Sequence, residues 1–405
     1  MNHLSSDEYK MTAINCIYNL CSVMASVFLN VYLYIYTGSL VMMALYTAIR
    51  IAMFPPFFTL AGKIADRYRF SHTLSIGLCF LAVQLAAVLF FNSRFGEDPW
   101  LIYIVAVIYG IGEGFYWCSI GSLNQLVSTP DSRAAYLSAI GVCSNITSII
   151  APVLSGFIIA ACGSDTEGYL TIFKVVLAIY VVLMFIAFQV KAKAKPQPFH
   201  VLTCMRLSHR DPRETKWAVN SVSTILYGFN NSLTLMLSGL LIYNATGGNG
   251  SIYSSLLSVF ACLTIGAYLY CSKHMTKDRI LHDYSISSVF IASSTIVLVL
   301  MPNIFGALYQ GICNALATPF YCNSYSLIGM DAIGAYEADE NITGRVIARE
   351  TYLSIGRCTG MGGIAIASQI LPADLYLPVS VIVLSLFAIA ASQYVSRCEQ
   401  KYQKL

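Results

Sequence analysis

Residues 61–70 read Ala61-Gly62-Lys63-Ile64-Ala65-Asp66-Arg67-Tyr68-Arg69-Phe70. Lys63, Asp66, Arg67 and Arg69 crowd into this stretch, and apolar chain flanks it on both sides, over 40–61 and 73–92. A bilayer core about 30 Å thick needs roughly 20 apolar residues of helix. Each flank meets that length, so the charged stretch reads as a turn between two helices that cross a membrane. The element must be a helix, because lipid offers the backbone no hydrogen bonds and the runs are too long for barrel strands.

The pattern repeats along the chain. Candidate spans lie at 11–36, 40–61, 73–92, 99–122, 134–162 and 169–190, then at 217–243, 251–272, 283–301, 303–328, 346–370 and 374–396. Pro302 makes the shortest break, between the ninth and tenth. Of the 405 residues, 57% are hydrophobic and 11% charged, against about 25% charged in a soluble domain. So little charge cannot clothe a water-facing surface, and a net charge of +4 gives no footing for nucleic acid. Asp7, Glu8 and Lys10 precede an apolar run too long for a cleavable signal, so the first span is expected to be retained. Cys16, Cys21, Cys79, Cys118, Cys143, Cys262, Cys313 and Cys322 fall inside apolar runs without paired spacing, and read as small packing residues.

The connections alternate in charge. Lys63, Arg67 and Arg69 lie in loop 62–72, Arg133 in 123–133, seven basic residues from Lys191 to Lys216 in 191–216, and Lys273, Lys277 and Arg279 in 273–282. The turns at 37–39 and 244–250 and at Pro302 carry none, and Arg94 in 93–98 is balanced by Glu97 and Asp98. The positive-inside rule puts both termini and the basic loops in the cytoplasm of a cell (plasma or inner) membrane. The long loop divides the chain into an expected six-helix bundle over 1–192, a cytoplasmic linker over 193–215 with a short surface helix, and a second six-helix bundle over 216–405. The matching loop pattern of the halves outlines two repeats.

Gly62-Lys63-Ile64-Ala65-Asp66-Arg67 resembles the signature turn between the second and third helices of the major facilitator superfamily, G-x-L-a-D-R-x-G-R-R. Gly62, Ala65, Asp66 and Arg67 match, whereas Arg69, Phe70 and Ser71 stand where the family has Gly and two basic residues. The resemblance in architecture covers nearly the whole chain. It implies an all-α membrane protein of twelve helices in two pseudo-symmetric bundles, working by alternating access. It also implies a gate in which Asp66 meets the cytoplasmic end of the eleventh helix, with Arg349 nearby. Gly62 would permit close approach or a positive φ at the helix end. In the fifth span, Ala151-Pro152-Val153-Leu154-Ser155-Gly156 is similar to the G-P-x-x-G-G stretch of an exporter-like bacterial branch, with Pro152 and Gly156 as its packing residues. This leans toward export. The Arg that many proton-coupled exporters carry in the fourth helix is replaced by Ala106.

Charge within the membrane is costly, roughly 2.5–3.5 kcal/mol per residue on insertion scales. Arg50, Glu113 and Arg357 all fall within spans. Glu113 sits between Gly112 and Gly114, with Tyr116 and Trp117 at helical spacing on its face, and Arg50 at similar depth is its expected partner. The resemblance makes helices 1, 4, 7 and 10 line the solute path. Here they carry Asn19, then Tyr227, Asn230 and Asn231, then Gln310 and Asn314. Amides and phenols in lipid need protein or water to face.

The expected function is a secondary transporter of a small organic solute, neutral or amphipathic, with protons as a candidate coupling ion. The alternatives are a lipid or glycolipid flippase on the same fold, or a transporter-like membrane sensor without flux. His3, His72, His200, His209, His274 and His282 lie at span ends or in loops, and no HExxH, GxSxG or P-loop pattern occurs. The reading is therefore not an enzyme, with no cofactor, no metal and no nucleic acid. Its partners are the solute and the bilayer, and the chain is expected to act as a monomer.

Overall fold

The computed structural model describes residues 5–127, 133–191, 201–235, 237–275, 277–335, 342–372 and 374–402, apart from a few side chains within them. Among the described residues the regular structure is entirely helical. The chain falls into two compact units. The first runs Met1–Gln197 and takes in Gly250–Ser258; the second holds Pro198–Asn249 and Val259–Leu405.

The first unit contains α1 (Ser6–Thr37), α2 (Leu40–Ala52), α3 (Phe54–Arg67), α4 (Phe70–Phe91), α5 (Leu101–Val127), α6 (Arg133–Ala161) and α7 (Asp165–Phe188). Ser5 and Glu8 start α1 with a reciprocal capping box. Gly38 ends it at φ 60° with its N–H on the Tyr34 carbonyl, and Ser39 then caps α2. The bare turn at 37–39 is thus two caps back to back. The second span is not one helix. It breaks at Met53, because Pro55 and Pro56 have no N–H to give the preceding turn. It also runs on past 61 to Arg67, so Gly62, Asp66 and Arg67 lie in the last turns of α3, and the turn itself is only Tyr68–Arg69. Gly62 is helical there and needs no positive φ.

The second unit contains α8 (Val201–Cys204), α9 (Pro212–Leu235), α10 (Leu237–Ala245), most of α11 (Gly250–His274), α12 (Ile280–Leu300), α13 (Ile304–Gly334), α14 (Ile342–Ile370) and α15 (Tyr376–Tyr402). The surface helix expected in the central connection is α8. The seventh span begins early, at Pro212, where the Asp211 carboxylate accepts from the Glu214 N–H at 2.7 Å. The break at Pro302 holds, since Asn303 caps α13 through the N–H groups of Phe305 and Gly306. Nine helical segments among the described residues are long and apolar enough to cross a membrane. The remaining three of the twelve spans are α6, α13 and α14. At 29, 31 and 29 residues they are long enough, but α13 and α14 carry amides and charges that dilute the apolar signal.

The same pairs of spans pack in both units. In the first, α1 lies on α6 and α7, and α4 lies on α5 and α7. In the second, α9 lies on α14 and α15, and α12 lies on α13 and α15. By order along the chain these are the same four pairings, a repeat that residue identity between the halves does not display.

Close approach is bought with glycine on α5. A Cβ on Gly112 would stand 3.0 Å from the Leu81 backbone N on α4. On the opposite face, a Cβ on Gly110 would stand 2.7 Å from Met53 Cβ and overlap the Arg50 carbonyl oxygen, and one on Gly114 would stand 2.8 Å from Phe57 Cβ. The glycines around Glu113 therefore make room for α2, α3 and α4. Gly110→Ala should cost about 1–3 kcal/mol through overpacking. Gly121→Ala, with nothing within 4 Å of its Cβ, should stay within about 0.5 kcal/mol of the parent. Unfolding of the detergent-purified variants measures both, and equal stability for the two would show that α5 is not closely packed at Gly110.

Candidate functional site

Arg50 stands in the last turn of α2 and Glu113 in the middle of α5. Arg50 Nε donates to Glu113 Oε2 at 2.6 Å, and Nη2 donates to Oε1 at 2.7 Å. The side chains are 12% exposed on each side, so this fork-to-fork pair is largely shielded. The guanidinium also lies over the Tyr109 ring, 3.9 Å from its centre. Tyr46 is buried on the same side of α2, and its hydroxyl has no hydrogen-bond partner among the described residues. The expected partnership of Arg50 and Glu113 is present, but Tyr46 and Tyr109 were missed. Each lies four residues before one of the two charges, one turn back on the same helix face, and that spacing was the available signal.

Next to the pair is an aromatic group. Tyr18 of α1 stacks on Tyr116 of α5, ring centres 3.6 Å apart and planes 17° from parallel. Trp117 meets Tyr116 edge-on at 5.4 Å and Tyr18 at 5.9 Å. Tyr180 of α7 stands 6.0 Å from Tyr18. Tyr116 and Trp117 adjoin one another as the spacing suggests, yet they differ in setting: Tyr116 is buried, and Trp117 is 45% exposed. Asn19 does not present its amide freely. It donates to the Ser144 carbonyl at 3.0 Å and to Thr147 Oγ1 at 2.6 Å, tying α1 to α6.

The second unit repeats the aromatic theme on the equivalent spans. Tyr227 of α9 stacks on Tyr325 of α13 at 3.8 Å and lies 5.2 Å from Tyr321. The Arg349 guanidinium covers the Tyr325 ring at 4.5 Å. Arg357, midway along α14, donates from Nε to Asn231 Oδ1 at 2.8 Å. Among the described residues neither Arg349 nor Arg357 has a carboxylate within ion-pair distance. Asn230 is buried in α9. Gln310 donates to Ser238 Oγ at 3.1 Å and leaves its buried Oε1 without a hydrogen bond. Asn314 accepts from Thr318 of its own helix at 3.1 Å.

The two motif regions differ in what they display. The Asp66 side chain lies outside the described residues, so its expected meeting with Arg349 does too; Arg67 is exposed. In α6, Pro152 falls inside the helix, and Ser254 donates its hydroxyl to the Pro152 carbonyl. Ser254 Oγ also stands 3.0 Å from where a Gly156 Cβ would be, so the small residue makes room for that contact.

Comparison with known proteins agrees with this architecture. A family model described as Major Facilitator Superfamily matches residues 11–348. The chain is similar to the uncharacterized protein YqgE of Bacillus subtilis (strain 168), 22% identical over 382 residues, or 93% of this chain and 86% of that one. Its fold is similar to that of the POT family transporter PepTSo, with a TM-score of 0.72 at 11% identity over 98% of each chain. It is also similar to a bacterial homolog of the human lysosomal transporter Spinster, with a TM-score of 0.69 at 14% identity over 98% of this chain and 97% of that one.

The pair predicts its own double-mutant behaviour. Glu113→Gln or Arg50→Gln alone leaves a buried charge uncompensated and should cost about 3–5 kcal/mol. The double variant should recover most of that loss, with a coupling energy well above 1 kcal/mol in a thermal or denaturant unfolding cycle. Additive losses would mean that the two side chains do not act as a unit.

Proposed function

The chain belongs to the Major Facilitator Superfamily, and on that premise we propose that it is a secondary transporter of a small amphipathic organic solute, working by alternating access. The observation that carries the solute class is the unequal charge balance of the two units. In the first, Arg50 is fully answered by Glu113. In the second, among the described residues, mid-helix Arg357 is held by a neutral amide and no carboxylate, beside stacked tyrosines. A half-buried cation without a carboxylate gains from an anionic group on a visiting solute. In the same unit, the Tyr227 and Tyr321 rings suit an apolar or aromatic body.

Glu113 is the candidate coupling group. Protonating it would leave Arg50 unpaired in a low-dielectric setting, so proton uptake and opening of the pair would be one event. The small-residue face of α6 around Pro152 and Gly156 supports the lean toward export. The basic residues clustered over 62–72, 191–216 and 273–282 support cytoplasmic termini.

A thermal-shift screen of the purified protein against solute libraries at two pH values tests the reading, since ligands of the folded form raise the melting temperature by mass action. Hits should favour carboxylates over their matched amides, and Arg357→Gln should weaken them at least about tenfold, consistent with a charge-assisted hydrogen bond of about 1.5–3 kcal/mol. In proteoliposomes, Glu113→Gln should abolish uphill transport and keep solute exchange. Uphill transport at the parent rate would remove Glu113 from coupling. Single cysteines at Gly247 and Arg206 should be labelled from opposite sides of the membrane; labelling from one side would overturn the topology.

A further inference from the structure

Away from the mid-helix charges, the second unit holds a small basic cavity at the end where α9 and α14 begin. It measures about 220 Å³, and Arg206, Arg210 and Arg345 stand in its wall with Trp217. That volume is below the roughly 300–1,000 Å³ of pockets for drug-sized ligands, and suits a single headgroup or inorganic anion.

The cavity is built by the chain just ahead of α9. At four residues, α8 cannot hold itself. Two hydrogen bonds fasten it: Trp217 Nε1 donates to the Cys204 carbonyl at 2.9 Å, and the Tyr352 hydroxyl donates to the Met205 carbonyl. Cys204, Trp217, Ala348 and Tyr352 close over one another as a buried cluster. Burial pushes the Cys204 thiol up in pKa, and the Arg345 charge beside it pulls the other way. The anchor places Arg206 and Arg210 in the same wall as Arg345, whose guanidinium lies 5.0 Å from the centre of the Trp217 ring.

The described wall holds more arginine than carboxylate. Its one carboxylate, Glu214, is engaged by the Ser208 hydroxyl and by the Arg210 backbone N–H at 3.3 Å. Arg206 and Arg210 have no carboxylate within ion-pair distance among the described residues. Arg206 and Arg210, both exposed, hold two positive charges at one small space, and an anion between them relieves their mutual repulsion. The planar fork of arginine matches phosphate oxygens two at a time. Helix starts add positive potential, and the end of a membrane-spanning helix is the depth at which lipid headgroups sit.

We propose that this cavity binds a phosphate group, carried by an anionic lipid or by a soluble phosphate, which fastens the central connection onto α9 and α14. The site is separate from Arg50, Glu113 and Arg357, and stands or falls independently of the solute.

The full-length protein in detergent is tested with two probes. One is sodium phosphate against sodium chloride at equal ionic strength. The other is phosphatidylglycerol against phosphatidylcholine in mixed micelles. At least one phosphate-bearing anionic probe should raise the melting temperature, and the one that does so identifies the source. The double change Arg206→Gln with Arg210→Gln should weaken that probe at least tenfold. Arg206→Lys with Arg210→Lys keeps the charge, loses the fork, and should weaken it less. The double change Arg94→Gln with Arg279→Gln, equal in charge and elsewhere in the sequence, should leave it unchanged. If the glutamine variant folds poorly, the lysine variant and native mass spectrometry of the bound probe give the same comparison. The proposal is overturned if neither probe stabilises the parent, if stabilisation survives both changes at Arg206 and Arg210, or if the control loses as much.

Discussion

A forked ion pair between Arg50 and Glu113 ties the second span to the fourth, and the first unit is arranged around it. Isolated, either charge would be costly at this depth; together they exchange two short hydrogen bonds and present almost no net charge to their surroundings. The pair needs α2 and α5 in near contact. Gly110 and Gly114 supply that contact by lacking the Cβ that would strike Arg50, Met53 and Phe57. The charge and the glycine run are therefore one device: the glycines bring the backbones close enough for the fork to reach, and the fork holds there a surface that has little side chain to pack.

The second unit solves the same packing problem with different chemistry. Its first span also meets its fifth and sixth, and its third meets its fourth and sixth. Stacked tyrosines join the first and fourth spans in both units, Tyr18 with Tyr116 and Tyr227 with Tyr325. Amide contacts join the first and fifth, Asn19 with Thr147 and Asn231 with Arg357. Among the described residues, what does not repeat is the shielded, forked ion pair: the second unit's Lys216–Asp331 pair, between its first and fourth spans, is exposed. The asymmetry is electrostatic, laid over a repeated set of helix pairings.

Much of this frame was legible in the sequence, because lipid imposes it. Span length, the bare turns and the short break at Pro302 follow from backbone hydrogen bonding and from the cost of charge, and those constraints leave few alternatives. The pairing of Arg50 with Glu113 was legible for the same reason, since two opposite charges at one depth have few other partners. Contacts made by uncharged groups were not. Tyr46 and Tyr109 look like ordinary span residues until the charges they flank are known to meet. Asn19 reads as a lining amide, and the structure spends it on the Ser144 carbonyl and Thr147. Helix boundaries were misjudged where a polar segment stays helical, as at Gly62–Arg67 and from Pro212. There the charged residues belong to the membrane border and not to a loop.

The break in the second span explains how Arg50 is tolerated at all. Pro55 and Pro56 cannot donate to the carbonyls four residues earlier, those of Ile51 and Ala52. The end of α2 is thus a helix C-terminus inside the span, an end whose dipole favours a nearby cation. Arg50 lies in that last turn, so its guanidinium answers the helix end as well as Glu113. A continuous helix would have removed the first of these attractions and left the pair to bear the whole desolvation cost. The prolines that interrupt the span thereby stabilise the charge beside them.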